Sequence, residues 1–109
     1  MQTKFINTED AGSHKLAAYL NARMRSTVAA TNYSQAQKIK IERMKQALEL
    51  CYNARDIYVT FRKKFATIKL DSALPVRKQD IRELEADWAL AGVTKAVSLQ
   101  GVIYRVPRQ

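Results

Sequence analysis

The chain has 109 residues, of which 47% are hydrophobic and 27% charged, with three glycines and two prolines. This composition excludes collagen-like, low-complexity and disordered chains, and a chain of this length buries about two-thirds of its unfolded surface, enough for one core. Nineteen Lys and Arg against ten Asp and Glu leave a formal charge of +9, which directs attention to anionic partners.

In chain order, residues 1–12 are expected to form a flexible arm and residues 13–109 a single small domain. Ser13 is a suitable N-cap for a first helix, along which Leu16, Leu20, Met24 and Val28 repeat every four residues as an apolar stripe. Thr31-Asn32-Tyr33 reads as a loop, after which Ser34 caps a second helix. Ile41, Met44, Leu48, Cys51, Ala54, Tyr58, Phe61 and Phe65 follow at spacings of three or four, and neither Gly nor Pro interrupts residues 34–66. The spacing predicts helix to about Phe65, a rod of about 50 Å. A rod of that length exceeds a compact domain of this size, so it must break, protrude or pack against a second copy; the second helix is therefore a candidate dimerisation element. The alternative is a hairpin of Ile57–Phe61 with Phe65–Leu70, since Ile57-Tyr58-Val59-Thr60-Phe61 is strand-like. Against it, Arg62-Lys63-Lys64 lacks the Gly or Asn of a tight turn.

Asp71–Pro75 reads as a loop. A third helix follows over about Val76–Ala91, with Ile81, Leu84, Trp88 and Ala91 as its buried stripe and Gly92 as its C′ residue. Val93–Leu99 and Val102–Val106 read as two strands joined at Gln100-Gly101 and stopped by Pro107. The expected fold class is mainly α with a C-terminal β-hairpin (α+β): three helices plus a two-stranded hairpin. That order of elements resembles a winged-helix domain, over most of the chain and without a specific motif. The resemblance implies a third helix in the major groove and a hairpin wing. The charge of this helix runs the other way, because Asp80, Glu83, Glu85 and Asp87 would be repelled by phosphates.

Residues 1–78 hold 15 Lys/Arg and 6 Asp/Glu, whereas residues 79–109 hold four of each. Three clusters stand out: Lys38-Lys40-Arg43-Lys45, then Arg62-Lys63-Lys64, then Lys69 with Arg77-Lys78. With Arg105 and Arg108 they are the candidate phosphate contacts. Glu42, Glu49 and Asp56 partly neutralise the long second helix at seven-residue intervals, the pattern of an ordinary solvated helix face. Tyr58, Phe61 and Phe65 interleave with the charge and could stack on bases, although their helical spacing favours a place in the core.

The single cysteine, Cys51, permits no internal disulfide and reads as a buried, inert thiol. With His14 as the only histidine, no zinc site can be assembled, and no cofactor is called for. Gly12, Gly92 and Gly101 are too scattered to cradle a phosphate. The opening MQTKFINTED is polar, no apolar run approaches bilayer length, and the expected location is the cytoplasm, away from membranes. Glu83 and Asp87 lie four apart on one helix face, which is more simply a solvated surface than an acid–base pair, so no enzymatic activity is expected. The reading is a small basic nucleic-acid-binding protein, accessory or regulatory, with DNA ahead of RNA. Its alternative is a non-enzymatic protein-interaction module, docking as a subunit or inhibitor on a larger complex.

Overall fold

Backbone from Gln2 and side chains from Leu16 to Gln109 are described by the computed structural model; of the expected arm over 1–12 and of Ser13 the side chains, and with them any capping bond, fall outside the described residues. Helix α1 is Gln2–Ala30 and α2 is Gln35–Cys51. Ser34 caps α2 as its sequence suggested: its backbone is extended and its hydroxyl accepts from the Gln37 N–H at 3.1 Å. The helix then stops at Cys51, 17 residues on, because Tyr52 takes an extended conformation and Val76 and Arg77 both donate to the Cys51 carbonyl. At 1.5 Å per residue α2 is about 25 Å long, so the premise of an overlong second helix that pairs with another copy is removed.

The segment after Cys51 corrects the expected fold class. Tyr52–Asn53 (β1) pairs with Leu74–Pro75 (β4), and Asp56–Phe61 (β2) pairs antiparallel with Phe65–Asp71 (β3) in the register Tyr58 to Lys69 and Phe61 to Ala66. Helix α3 spans Lys78–Ala89, and Thr94–Ser98 (β5) and Gly101–Pro107 (β6) form the last hairpin. That hairpin is not a free two-stranded wing. β6 also pairs with β3, giving a four-stranded antiparallel sheet in the order β2-β3-β6-β5. A winged-helix arrangement is thereby excluded.

The hairpin closes without Gly or Asn because distant groups hold its turn. Arg62 N–H donates to the Phe65 carbonyl, the Tyr33 hydroxyl donates to the Arg62 carbonyl at 2.7 Å, and Arg108 N–H donates to the Lys64 carbonyl at 2.9 Å. Along the strands the side chains alternate. Ala66, Ile68 and Leu70 of β3 and Val102, Tyr104 and Val106 of β6 are buried. Ile57, Val59 and Phe61 pack against the same core from β2. Ile41, Met44, Leu48 and Cys51 of α2 and Ile81 and Trp88 of α3 cover this face. The result is two layers, helices on one side of a sheet whose other side is left to solvent, as antiparallel sheets allow.

Within the core Tyr104 donates to Glu85 Oε2 and so accepts from the Tyr52 hydroxyl at 2.9 Å, while Lys95 Nζ lies 2.8 Å from the same carboxylate. Cys51 is buried, and burial pushes its thiol pKa up. α1 lies along the free edge of β2, where the Ser26 hydroxyl accepts the Phe61 N–H at 2.9 Å. This satisfies one donor of an edge strand that would otherwise be open to pairing. The apolar stripe of α1 faces away from this contact: Leu16, Leu20, Met24 and Val28 are all exposed. Among the described residues no helix is long and apolar enough to cross a membrane.

Candidate functional site

The basic residues singled out from the sequence do not form one surface. On α2 they divide between two flanks. Lys40 and Arg43 line a shallow groove against α3 that also contains Asp87 and Trp88. Lys38 and Lys45, seven residues apart and so on one side of the helix, take the other flank. Arg77 is spent on Asp80, 2.9 Å away, and Lys78 opens α3 beside it. Both stand at the C-terminal end of α2, where Cys51 accepts the Arg77 N–H.

The opposite end of α2, about 25 Å away, gathers the densest charge. There Gln37 bonds to Pro107 and Gln109, and Arg108 holds the turn carrying Arg62, Lys63 and Lys64. All three turn cations are exposed. Lys63 and Arg25 line one pocket with Met24, Val28 and Asn32, so the end of α1 adds a cation to this group. Arg108 stands close enough for its charge to act on the Tyr33 phenol, whose pKa burial nevertheless raises. Among the described residues the ion pairs are Arg55 with Asp71, Arg77 with Asp80 and Lys95 with Glu85; none neutralises Arg25, Arg62, Lys63, Lys64 or Arg108.

Lys69 and Arg105 continue this basic tract onto the uncovered side of the sheet. Since Ala66, Ile68 and Leu70 face the core, Phe65, Thr67 and Lys69 face the other way, and so do their cross-strand partners Pro107, Arg105 and Ile103 on β6 and Tyr58 and Thr60 on β2. The Arg105 guanidinium carbon lies 4.5 Å from the centre of the Phe65 ring, and Lys69 Nζ lies 6.0 Å from that of Tyr58. Of the three aromatics flagged by their charged setting, only Phe61 joins the core, packing edge-on to Tyr33 at 5.0 Å. Tyr58 and Phe65 stand on the open face, a placement that strand alternation reveals and helical spacing hides. Asp56 and Asp71 occupy the far end of that face, with Asp71 bound to Arg55.

Among the described residues no cluster of His, Cys, Asp or Glu is placed to hold a metal ion. Glu83 is hydrogen-bonded by Gln79 at 3.1 Å on the exposed side of α3, and Asp87 lines the groove shared with Lys40 and Arg43. Compared with known proteins, the chain matches no family model, no curated protein and no solved structure.

Proposed function

We propose that this chain is a small basic nucleic-acid-binding protein, accessory or regulatory rather than enzymatic, that takes phosphates at the end of the domain built by the β2–β3 turn. The observation that carries this reading is the gathering of Arg25, Arg62, Lys63, Lys64 and Arg108 from three separate stretches of sequence, with no carboxylate paired to any of them among the described residues. Unneutralised cations held together cost folding energy through mutual repulsion, and a polyanion repays that cost by releasing its own counterions. The lone cysteine, a free buried thiol, accords with a cytoplasmic, reducing setting.

Binding to labelled oligonucleotides across a salt series tests this. Affinity should fall steeply with salt, and alanine at Arg62, Lys63 and Lys64 together should reduce the slope of log affinity against log salt by up to about 3, roughly 0.9 per phosphate contact on duplex and 0.7 on single strands. Salt-insensitive binding, or none at micromolar protein, overturns the reading.

One observation favours a second reading, the protein-interaction module. Leu16, Leu20, Met24 and Val28 form an exposed stripe on one long helix, and contiguous apolar surface of this kind marks contact sites. Light scattering separates the cases: an oligomer that reverts to monomer on Leu20→Glu with Met24→Glu supports self-association through α1, and a salt-independent monomer counts against it.

A further inference from the structure

We infer that the uncovered face of the four-stranded sheet is a stacking platform for unpaired bases, so that the chain takes single-stranded nucleic acid in preference to duplex; this rests on the nucleic-acid reading above and adds the class of ligand.

The face carries two aromatic–cation pairs. Tyr58, 40% exposed, has Lys69 directly opposite on the neighbouring strand, and Phe65 lies beneath the Arg105 guanidinium. In this register Phe65 is four residues from Lys69 along β3, so the rings stand about 14 Å apart at the usual strand rise of about 3.4 Å per residue. Each aromatic–cation pair therefore has room for its own base, which at Phe65 meets the guanidinium plane of Arg105 lying over the ring. Thr60, Thr67 and Arg105 form the cross-strand row between them and supply hydrogen-bonding groups.

The electrostatics agree in sign and in direction. From Lys69 the positive charge runs through Arg105 to Arg62, Lys63 and Lys64 on the adjoining turn, and to Arg108 beside them. The carboxylates on this side, Asp56 and Asp71, lie beyond Tyr58 at the other end and bound the track there. A strand laid from Tyr58 towards Phe65 thus moves away from negative charge and into the basic end. α1 walls the track along β2: a groove of about 860 Å³ lies between them, lined by Tyr19 and Arg23 of α1 and by Tyr58, with the Arg23 guanidinium carbon 5.7 Å from the centre of the Tyr19 ring.

Duplex fits this surface poorly. Paired bases present only their edges, so flat rings on a sheet gain nothing from them. Neither α2 nor α3 suits the major groove either. α3 carries Asp80, Glu83, Glu85 and Asp87, and the cations of α2 are divided between two flanks.

The test is fluorescence anisotropy of the full chain with three probes of one mixed sequence: single-stranded DNA, single-stranded RNA and the DNA duplex. The unsubstituted chain should bind at least one single strand more tightly than duplex. Tyr58→Ala and Phe65→Ala should each weaken single-strand binding about tenfold, with duplex binding changed less than about twofold, and Tyr58→Phe should retain single-strand affinity. Tyr58 is on the surface of an edge strand, so its alanine variant remains informative if Phe65→Ala fails to fold. Equal affinity for duplex and single strands, or single-strand affinity untouched by Tyr58→Ala, overturns the platform while leaving nucleic-acid binding intact. Failure of all three probes overturns the underlying reading and the platform with it.

Discussion

Gly101→Ala is expected to lower the unfolding free energy by about 4 kcal/mol, combining left-handed backbone strain with a clash that side-chain movement cannot relieve. A Cβ on Gly101 would stand 2.1 Å from the Leu70 carbonyl oxygen, 3.1 Å from its carbon and 3.2 Å from the Ser72 nitrogen, all backbone atoms. Gly101 also has φ of +151°, a value that a side chain disfavours. Its position multiplies the consequence. It is the first residue of β6, opposite Asp71 on one side and Ser98 on the other, and the adjoining Ser72 N–H donates to the Gln100 carbonyl at 2.9 Å. Displacing this corner loosens the pairing of β6 with both its neighbours. Gly92→Ala supplies the contrast. Gly92 also has positive φ, +84°, but the nearest obstacle to its Cβ is the Pro107 ring at 3.3 Å, so the expected cost is about 1 to 2 kcal/mol of backbone strain. Urea unfolding of the three chains measures both. A Gly101→Ala midpoint as high as that of Gly92→Ala would refute the steric account.

The contrast between 34–51 and 52–75 explains how far this fold was legible. Ser34, followed by Ile41, Met44 and Leu48 at helical spacing, is a local signal, and the start of α2 and the body of α3 follow from such signals. In 52–75 two periodicities overlap. Ala54, Tyr58, Phe61 and Phe65 fit a helix, while Ile57, Val59 and Phe61, then Ala66, Ile68 and Leu70, fit alternating strands. Partners elsewhere in the chain decide between them. β3 lies between β2 and a strand more than thirty residues later, and its entry turn is held by Tyr33 and Arg108. A rule that asks only for Gly or Asn in the turn cannot register those bonds.

The same distinction governs the site. Arg62-Lys63-Lys64 was visible as a run, but its union with Arg25 and Arg108 depends on the path of the chain. Lys69 and Arg105 share the open face only because odd-numbered residues of β3 and β6 point outward together. The pairing of Arg77 with Asp80, by contrast, was open to sequence reading, because cation and carboxylate are three apart at a helix start. The stripe on α1 was equally plain, while its exposure depends on α1 meeting β2 through Ser26 instead.

Tyr104→Ala should cost about 4 kcal/mol, the range for removing a buried aromatic ring, and lower Tm by roughly 4–8 °C for each kcal/mol lost. The ring is 1% exposed and meets Trp88 at right angles at 5.9 Å and Tyr52 edge-on at 6.5 Å. Its hydroxyl joins Tyr52 to Glu85, and the Glu85 carboxylate in turn holds Lys95. Tyr104→Phe keeps the ring and removes those bonds, leaving the Tyr52 hydroxyl without its partner, at an expected cost of about 1–3 kcal/mol. The two variants thus separate packing from the polar network.

Alkaline pH isolates the phenol itself. Burial first, and then the bonds to Glu85 and Tyr52, hold the Tyr104 phenol far above its ordinary pKa. Unfolded, the same phenol releases its proton near pH 10. Above that pH the unfolded chain binds fewer protons than the folded one, so this contribution is fully present at lower pH and is lost as pH rises, at about 1.4 kcal/mol per pH unit. Lys95 acts in the same direction: burial lowers its pKa, but its bond to Glu85 leads the influences that leave it raised overall, so the fold holds that proton too. Unfolding free energy measured against pH should therefore decline beyond about pH 10 in the unsubstituted chain, and decline less steeply, by close to one proton, in Tyr104→Phe. Parallel alkaline limbs for the two chains would mean that the phenol titrates alike in the folded and unfolded states, which a buried hydroxyl bonded to a carboxylate should not do.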